Sequence, residues 1–141
     1  MREEKSLNIE SLKNAVSALE DSIAEYNGCA QDGNTRRLYA LRSGVIKNFE
    51  IAYELCWKYM KKWLEMNISP EIVKYVNRKE FYRIAWENGL IPDVREWWGF
   101  HDSRNRAVHV YSETTAGEVF STAVRFITAA KKFTADLEGR I

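Results

Sequence analysis

Nine consecutive residues, Ser103-Arg104-Asn105-Arg106-Ala107-Val108-His109-Val110-Tyr111, hold most of the groups that could do chemistry together. An arginine, a histidine, an asparagine and a tyrosine, with no metal cluster and no strong nucleophile, suit phosphodiester chemistry on RNA. There the substrate's own 2′-hydroxyl is the nucleophile. A histidine with a pKa of about 6.5 can move the proton, and an arginine can hold the non-bridging oxygens as charge builds. The same residues would also bind a nucleotide phosphate without acting on it. His101 and His109 are eight positions apart with no carboxylate at supporting spacing, which argues against a metal site. No cofactor is implied. Neither Ser103 nor Ser112 lies in a nucleophile motif, and no glycine-rich phosphate loop occurs.

The element that carries these groups is a helix starting after Pro92, with Asp93 and Glu96 as a capping box. It is expected from Val94 toward Ala107 or beyond. Its stripe at steps of three and four reads Val94, Trp97, His101, Arg104, Val108, Tyr111, so polar groups occupy core slots. Burying them beside tryptophans costs several kcal/mol unless partners satisfy them, which suggests a cleft, an interface or an internal ion pair. His101 by itself reads as a capped or core histidine. Arg104 could pair with Glu50 or Glu54 on another helix and merely tie the fold together; the same two acids could instead line a site. At about 100° per residue, Arg104 and His109 lie roughly 140° apart on a straight helix. Either the helix ends or bends before His109, or a second subunit completes the site by symmetry.

The rest of the chain reads as helices. Ile9, Leu12, Val16, Leu19, Ile23 and Tyr26 mark one face of a helix from Ser6 to about Asn27, stopped by Gly28. After a turn at Gly33 and a cap at Asn34 or Thr35, the longest helix runs from about Arg36 to Met66 with two apolar faces. Ser69-Pro70-Glu71 predicts a short helix through Val76. Asn77 with Glu80 opens another, which carries Phe81, Ile84 and Ala85 and closes at Asn88-Gly89. A last long helix follows a capping box at Thr115 and Glu118. Strand signals are missing. The expected fold is all-α: an antiparallel up-down bundle, four-helix-bundle-like, with extra short helices.

Composition narrows the classes. The length of 141 residues and 45% apolar content fit one domain over 1–141 with a real core. Twenty-one basic against twenty acidic residues leave +1, so no global field draws the chain to nucleic acid or membrane. RNA would need a local patch, for which Arg36, Arg37, Arg42, Arg104 and Arg106 are available. No apolar run is long enough for a membrane span. Cys29 and Cys56 lack metal spacing, and the chain carries no apolar leader, which fits free thiols in the cytoplasm.

The run Arg104-Asn105-Arg106-Ala107-Val108-His109-Val110-Tyr111 fits Arg-x-x-x-x-His-x-Tyr and resembles the signature of HEPN domains. The run Asn48-Phe49-Glu50-Ile51-Ala52-Tyr53-Glu54-Leu55-Cys56-Trp57-Lys58 and the Trp97-Trp98 pair resemble one HEPN branch. That branch is the nucleotidyltransferase substrate-binding-protein-like (HepT-like) family, partner of minimal (MNT) nucleotidyltransferases. The resemblance implies a helical homodimer with two copies of the motif side by side. It further implies a metal-independent endoribonuclease toxin, neutralised by a cognate nucleotidyltransferase. Arg104 and His109 would be the catalytic pair, Asn105 a supporting residue, and Tyr111 the hydroxyl that receives AMP. Independently of the resemblance, the positions of His101, Glu50 and Glu54 on their helices make them candidates to line the cleft. The branch's name leaves a second expectation: a non-catalytic subunit that presents a nucleotide or other substrate to the nucleotidyltransferase. A helical adaptor with a structural Arg104 is a third.

Overall fold

The computed structural model describes residues 7–141, and five helices account for most of them. They are α1 (Glu10–Cys29), α2 (Thr35–Asn67), α3 (Arg78–Glu87), α4 (Val94–Ala107) and α5 (Glu113–Glu138). Contacts between helices fix their directions. Tyr59 Oη donates to the Asn8 carbonyl at 2.8 Å and Asn48 reaches the Ala18 carbonyl, so α1 and α2 are antiparallel. Lys13 meets Glu138 at 2.8 Å, and the Tyr26 and Phe120 rings lie 4.4 Å apart, so α5 is antiparallel to α1. Ser103 donates to Thr122 at 2.8 Å and Trp97 packs on Phe133, so α4 is antiparallel to α5. The expected up-down-up-down bundle is the observed one, with α3 inserted between α2 and α4.

The core is aromatic at the level of the candidate site. The buried Phe126 ring of α5 touches Phe49 and Tyr53 of α2 and Trp97 and Phe100 of α4, at centroid distances of 5.0 to 6.3 Å. Such edge-to-face pairs add to the area term of burial. Two apolar faces were expected on α2, and it buries Phe49, Ala52 and Cys56 along with Ile46, Tyr53 and Met60. Cys29 and Cys56 are free and buried, and burial pushes the Cys56 thiol up, away from reactivity.

Several boundaries depart from the sequence reading. The expected start of the first helix, Ser6, lies outside the described residues; α1 begins at Glu10, whose N–H is taken by Asn8 Oδ1 at 2.9 Å, and it continues through Gly28 to Cys29. The short helix expected from Ser69 to Val76 is a run of turns. Ile72 and Lys74 donate to carbonyls three residues back, and Tyr75 adopts φ +64°. So short a segment cannot repay helix nucleation, and a left-handed residue stops it. Helix α5 starts ahead of the expected Thr115 box, because Ser112 accepts the Thr115 N–H at 3.1 Å and serves as the cap. Among the described residues no helix is long and apolar enough to cross a membrane.

Candidate functional site

Helix α4 ends inside the motif. Asp93 caps its start by accepting the Arg95 and Glu96 N–H groups, and the last helical residue is Ala107. Arg104, Asn105 and Arg106 therefore occupy the final turn, while His109 and Tyr111 sit on the link to α5. That link is folded tightly: the His109 N–H donates to the Arg106 carbonyl at 2.9 Å, and the Tyr111 N–H to the His109 carbonyl at 3.0 Å. The stripe of core slots stops with the helix, so Val108 and Tyr111 are not core residues; Tyr111 is 87% exposed. Of the two ways around the geometric problem, the chain takes the first as far as backbone is concerned.

Side chains of the motif nonetheless divide between two faces. His109 is exposed, with Nδ1 3.4 Å from the Tyr111 hydroxyl, and it lines an open hollow of about 420 Å³ with Asn105, Arg106, Thr115 and Glu118. Arg106 is drawn to Glu118 at 3.2 Å. Arg104 turns to α2, where its Nε lies 3.1 Å from Glu54 Oε1. Those two atoms are sealed from solvent, but the N–H is not aimed at the oxygen, so the pair is a charge contact without an aligned hydrogen bond. Glu50 goes elsewhere, 3.8 Å from Lys47 on its own helix. The terminal guanidinium nitrogens make one long contact among the described residues, Nη1 to Asn105 Oδ1 at 3.4 Å. The side chain is about one-third exposed, which leaves those nitrogens within reach of an anion. Within one chain Asn105 is the link: it touches Arg104 and borders the hollow of His109.

A polar network that the motif does not reveal lies behind Asn105. His101 is half-buried; its Nε2 is 3.3 Å from Asn105 Nδ2 and its Nδ1 is 2.9 Å from the Tyr53 hydroxyl. Tyr53 and Tyr82 are fully buried with their oxygens 2.6 Å apart, and Arg78 Nη1 donates to Tyr53 at 2.9 Å. The Arg78 guanidinium stacks on Trp57 at 4.0 Å. Burial, with Arg78 and Arg104 nearby, pulls the His101 pKa below its ordinary value against the opposing pull of Asp102 and Glu54, so the imidazole is neutral at pH 7. Burial holds both tyrosines protonated well past neutrality. His101 is thus a partnered histidine at the boundary of the core. Tyr53 and Tyr82 escaped the sequence reading because a tyrosine at a core position counts as apolar there, and Arg78 because its partners lie on another helix. The available signal was that buried tyrosine hydroxyls need partners and His101 pointed into the same core.

Arg42 pairs with Glu113 and ties the start of α2 to the start of α5, while Arg104 and Arg106 point to different acids. Among the described residues no group of three or more His, Cys, Asp or Glu side chains is placed to hold a metal ion.

Comparison with known proteins places the chain. A solved structure from Haemophilus influenzae, described as revealing the fold of a substrate binding domain of a nucleotidyltransferase (HI0074), superposes with a TM-score of 0.85 at 25% identity. That similarity covers 93% of this chain and 99% of the other. A curated protein of the same organism, named probable ribonuclease HepT, is 33% identical over 88 residues. This match spans 62% of the chain and 60% of that relative's length. The family model described as nucleotidyltransferase substrate binding protein like matches residues 7–139. The chain therefore belongs to the nucleotidyltransferase substrate binding protein like family.

Proposed function

We propose that this chain is a metal-independent endoribonuclease, the toxin subunit of a toxin–antitoxin pair whose other member is a minimal nucleotidyltransferase. The observation that carries the reading is the exposed His109–Tyr111 pair, 3.4 Å apart, next to a hollow bordered by Asn105, which also touches Arg104 on the neighbouring face. In the reaction the 2′-hydroxyl attacks the adjacent phosphorus and gives its proton to His109, forming the 2′-O–P bond. The P–5′-O bond breaks, and the leaving oxygen takes a proton back from the imidazolium or from water, leaving a 2′,3′-cyclic phosphate and a 5′-hydroxyl. Arg104 holds the non-bridging oxygens as negative charge accumulates. Because Arg104 and His109 face different sides of one chain, a homodimer supplies the convergence by placing the two motifs beside each other.

Tyr111 is the control point. Its phenol oxygen, exposed in this structure, attacks the α-phosphorus of ATP on the partner enzyme, pyrophosphate leaves, and the phenol proton passes to a base of that enzyme. The added phosphodiester and adenosine put negative charge and bulk beside His109, where substrate phosphate must lie. The setting is the cytoplasm. A second reading is favoured by the wide match to the structure described as a substrate binding domain. In it the chain presents a nucleotide to the nucleotidyltransferase and cleaves nothing, with Arg104 and Asn105 as phosphate ligands.

The test is incubation of purified chain with total RNA and tRNA in EDTA, with His109→Ala of equal helicity alongside. Cleavage by the wild type alone supports the ribonuclease. No cleavage by a preparation whose mass shows Tyr111 unmodified, with tight nucleotide binding by calorimetry, supports the substrate-binding reading.

A further inference from the structure

Asn105, His101, Tyr53 and Tyr82 form one unbroken chain of hydrogen bonds from the motif to the buried core, at 3.3, 2.9 and 2.6 Å. Each link can run in one of two senses, and the senses are coupled. A neutral imidazole has one donor and one acceptor nitrogen, and each hydroxyl has one proton. In the first arrangement Asn105 Nδ2 donates to His101 Nε2, His101 Nδ1–H donates to Tyr53, and Tyr53 donates to Tyr82. Arg78 fills the second lone pair of Tyr53. In the second arrangement Tyr82 donates to Tyr53, Tyr53 donates to His101 Nδ1, and His101 Nε2–H donates to Asn105. The last bond requires the carboxamide to turn over, with its oxygen on His101.

The two arrangements differ in what Asn105 offers to Arg104. In the first, Oδ1 faces Arg104 Nη1 at 3.4 Å and accepts from it. In the second, the Asn105 amino group stands beside the guanidinium. Two donors side by side repel each other unless an anion accepts from both; a phosphodiester, with two non-bridging oxygens, does so. The guanidinium alone therefore favours the first arrangement, and a bound phosphodiester favours the second. The charged and titratable groups around His101 are Tyr53 and Glu54 from α2, Arg78 and Tyr82 from α3, and Asp102 and Arg104 from α4. Burial first, and then Arg78 and Arg104 against Asp102 and Glu54, lower the His101 pKa and favour the neutral ring that the coupling requires.

We propose that His101 is a positioning residue whose tautomer, held by Tyr53, Tyr82 and Arg78, decides which face of the Asn105 carboxamide lies beside Arg104. Binding of a phosphodiester turns the amide and reverses the chain of protons back to Tyr82. No proton is gained or lost overall. The catalytic consequence rests on the ribonuclease reading; the tautomer itself does not.

The experiment is ¹⁵N NMR of histidine-labelled protein at pH 7.5 to 8, with and without a dinucleotide lacking the 2′-hydroxyl, which can bind but not be cleaved. The expected result is an Nδ1–H imidazole at His101 in the free protein and an Nε2–H imidazole with the dinucleotide bound. Tyr53→Phe loses the Nδ1–H form and, in the RNA assay, lowers kcat by ~10-fold with little change in KM, as misplacement of a positioned group does. An Nε2–H imidazole in the free wild type, or a tautomer that does not respond to the dinucleotide, overturns the proposal even where the variant fails to fold. A wild type that shows the tautomer change yet cleaves no RNA removes the ribonuclease reading alone.

Discussion

Arg104 Nε lies 3.1 Å from Glu54 Oε1 without pointing at it. An arginine whose role was to tie α4 to α2 would meet its acid through two aligned N–H groups; here a single misdirected contact leaves the outer nitrogens available. The geometry suits a guanidinium steadied by one charge and kept for another.

Arg104→Ala is therefore expected to change stability little and function strongly. The ion pair is about one-third exposed and poorly aligned, so its loss should cost about 1 kcal/mol or less in urea denaturation. RNA cleavage should fall by ~100-fold or more, the scale of removing a donor from a developing oxyanion. A loss of several kcal/mol with unaltered cleavage would make Arg104 a structural residue.

For His109→Ala, circular dichroism should show unchanged helicity and a midpoint equivalent to within ~0.5 kcal/mol, because the side chain is exposed and among the described residues is tied only to Tyr111. Cleavage should vanish. Residual cleavage near the wild-type rate would assign the proton transfer elsewhere.

Tyr111→Phe separates control from catalysis. The phenol oxygen is at the surface and its removal takes away one 3.4 Å contact. Mass spectrometry after incubation with the cognate nucleotidyltransferase and ATP should show AMP on the wild type and none on the variant, and the variant's RNA cleavage should persist in the presence of that enzyme.

Phe126→Ala tests the core that positions α4 on α2. The ring has no exposure and touches four other aromatic rings, so truncation should cost about 3–5 kcal/mol in chemical denaturation. A cost under 1 kcal/mol would mean that the aromatic layer repacks around the cavity.

Stability should depend on pH through His101. Its folded pKa lies below the ordinary 6.5, so between the two values the unfolded chain binds a proton that the folded chain does not. The contribution is present above about pH 6.5 and is lost as pH falls through the folded value. Denaturation midpoints measured from pH 7.5 down to 5 should decline for the wild type and decline less for His101→Gln.

Sequence alone determined the helices that carry periodic apolar faces and recognisable caps. Asn34, Asn77 and Asp93 each accept the N–H groups that their positions implied, because capping is a local bond between residues two or three apart. It also singled out the motif, whose residue types restrict the chemistry before any geometry is known. Local reasoning failed where two signals competed. Ser69-Pro70-Glu71 begins like a helix, but the segment is too short to propagate one past Tyr75.

Tertiary structure decided which partners the polar groups found. Glu50 and Glu54 are indistinguishable on the sequence, one turn apart on α2; packing of α4 gives Glu54 to Arg104 and leaves Glu50 to Lys47. It likewise decided that α4 stops at Ala107 and leaves His109 on the link to α5, where its side chain and that of Arg104 still face apart as the helix angle alone implied. The network of Tyr53, Arg78, Tyr82 and His101 joins three helices. A hydrogen bond between residues tens of positions apart has no local signature, since it depends on the crossing of helices that only burial of their apolar faces brings together.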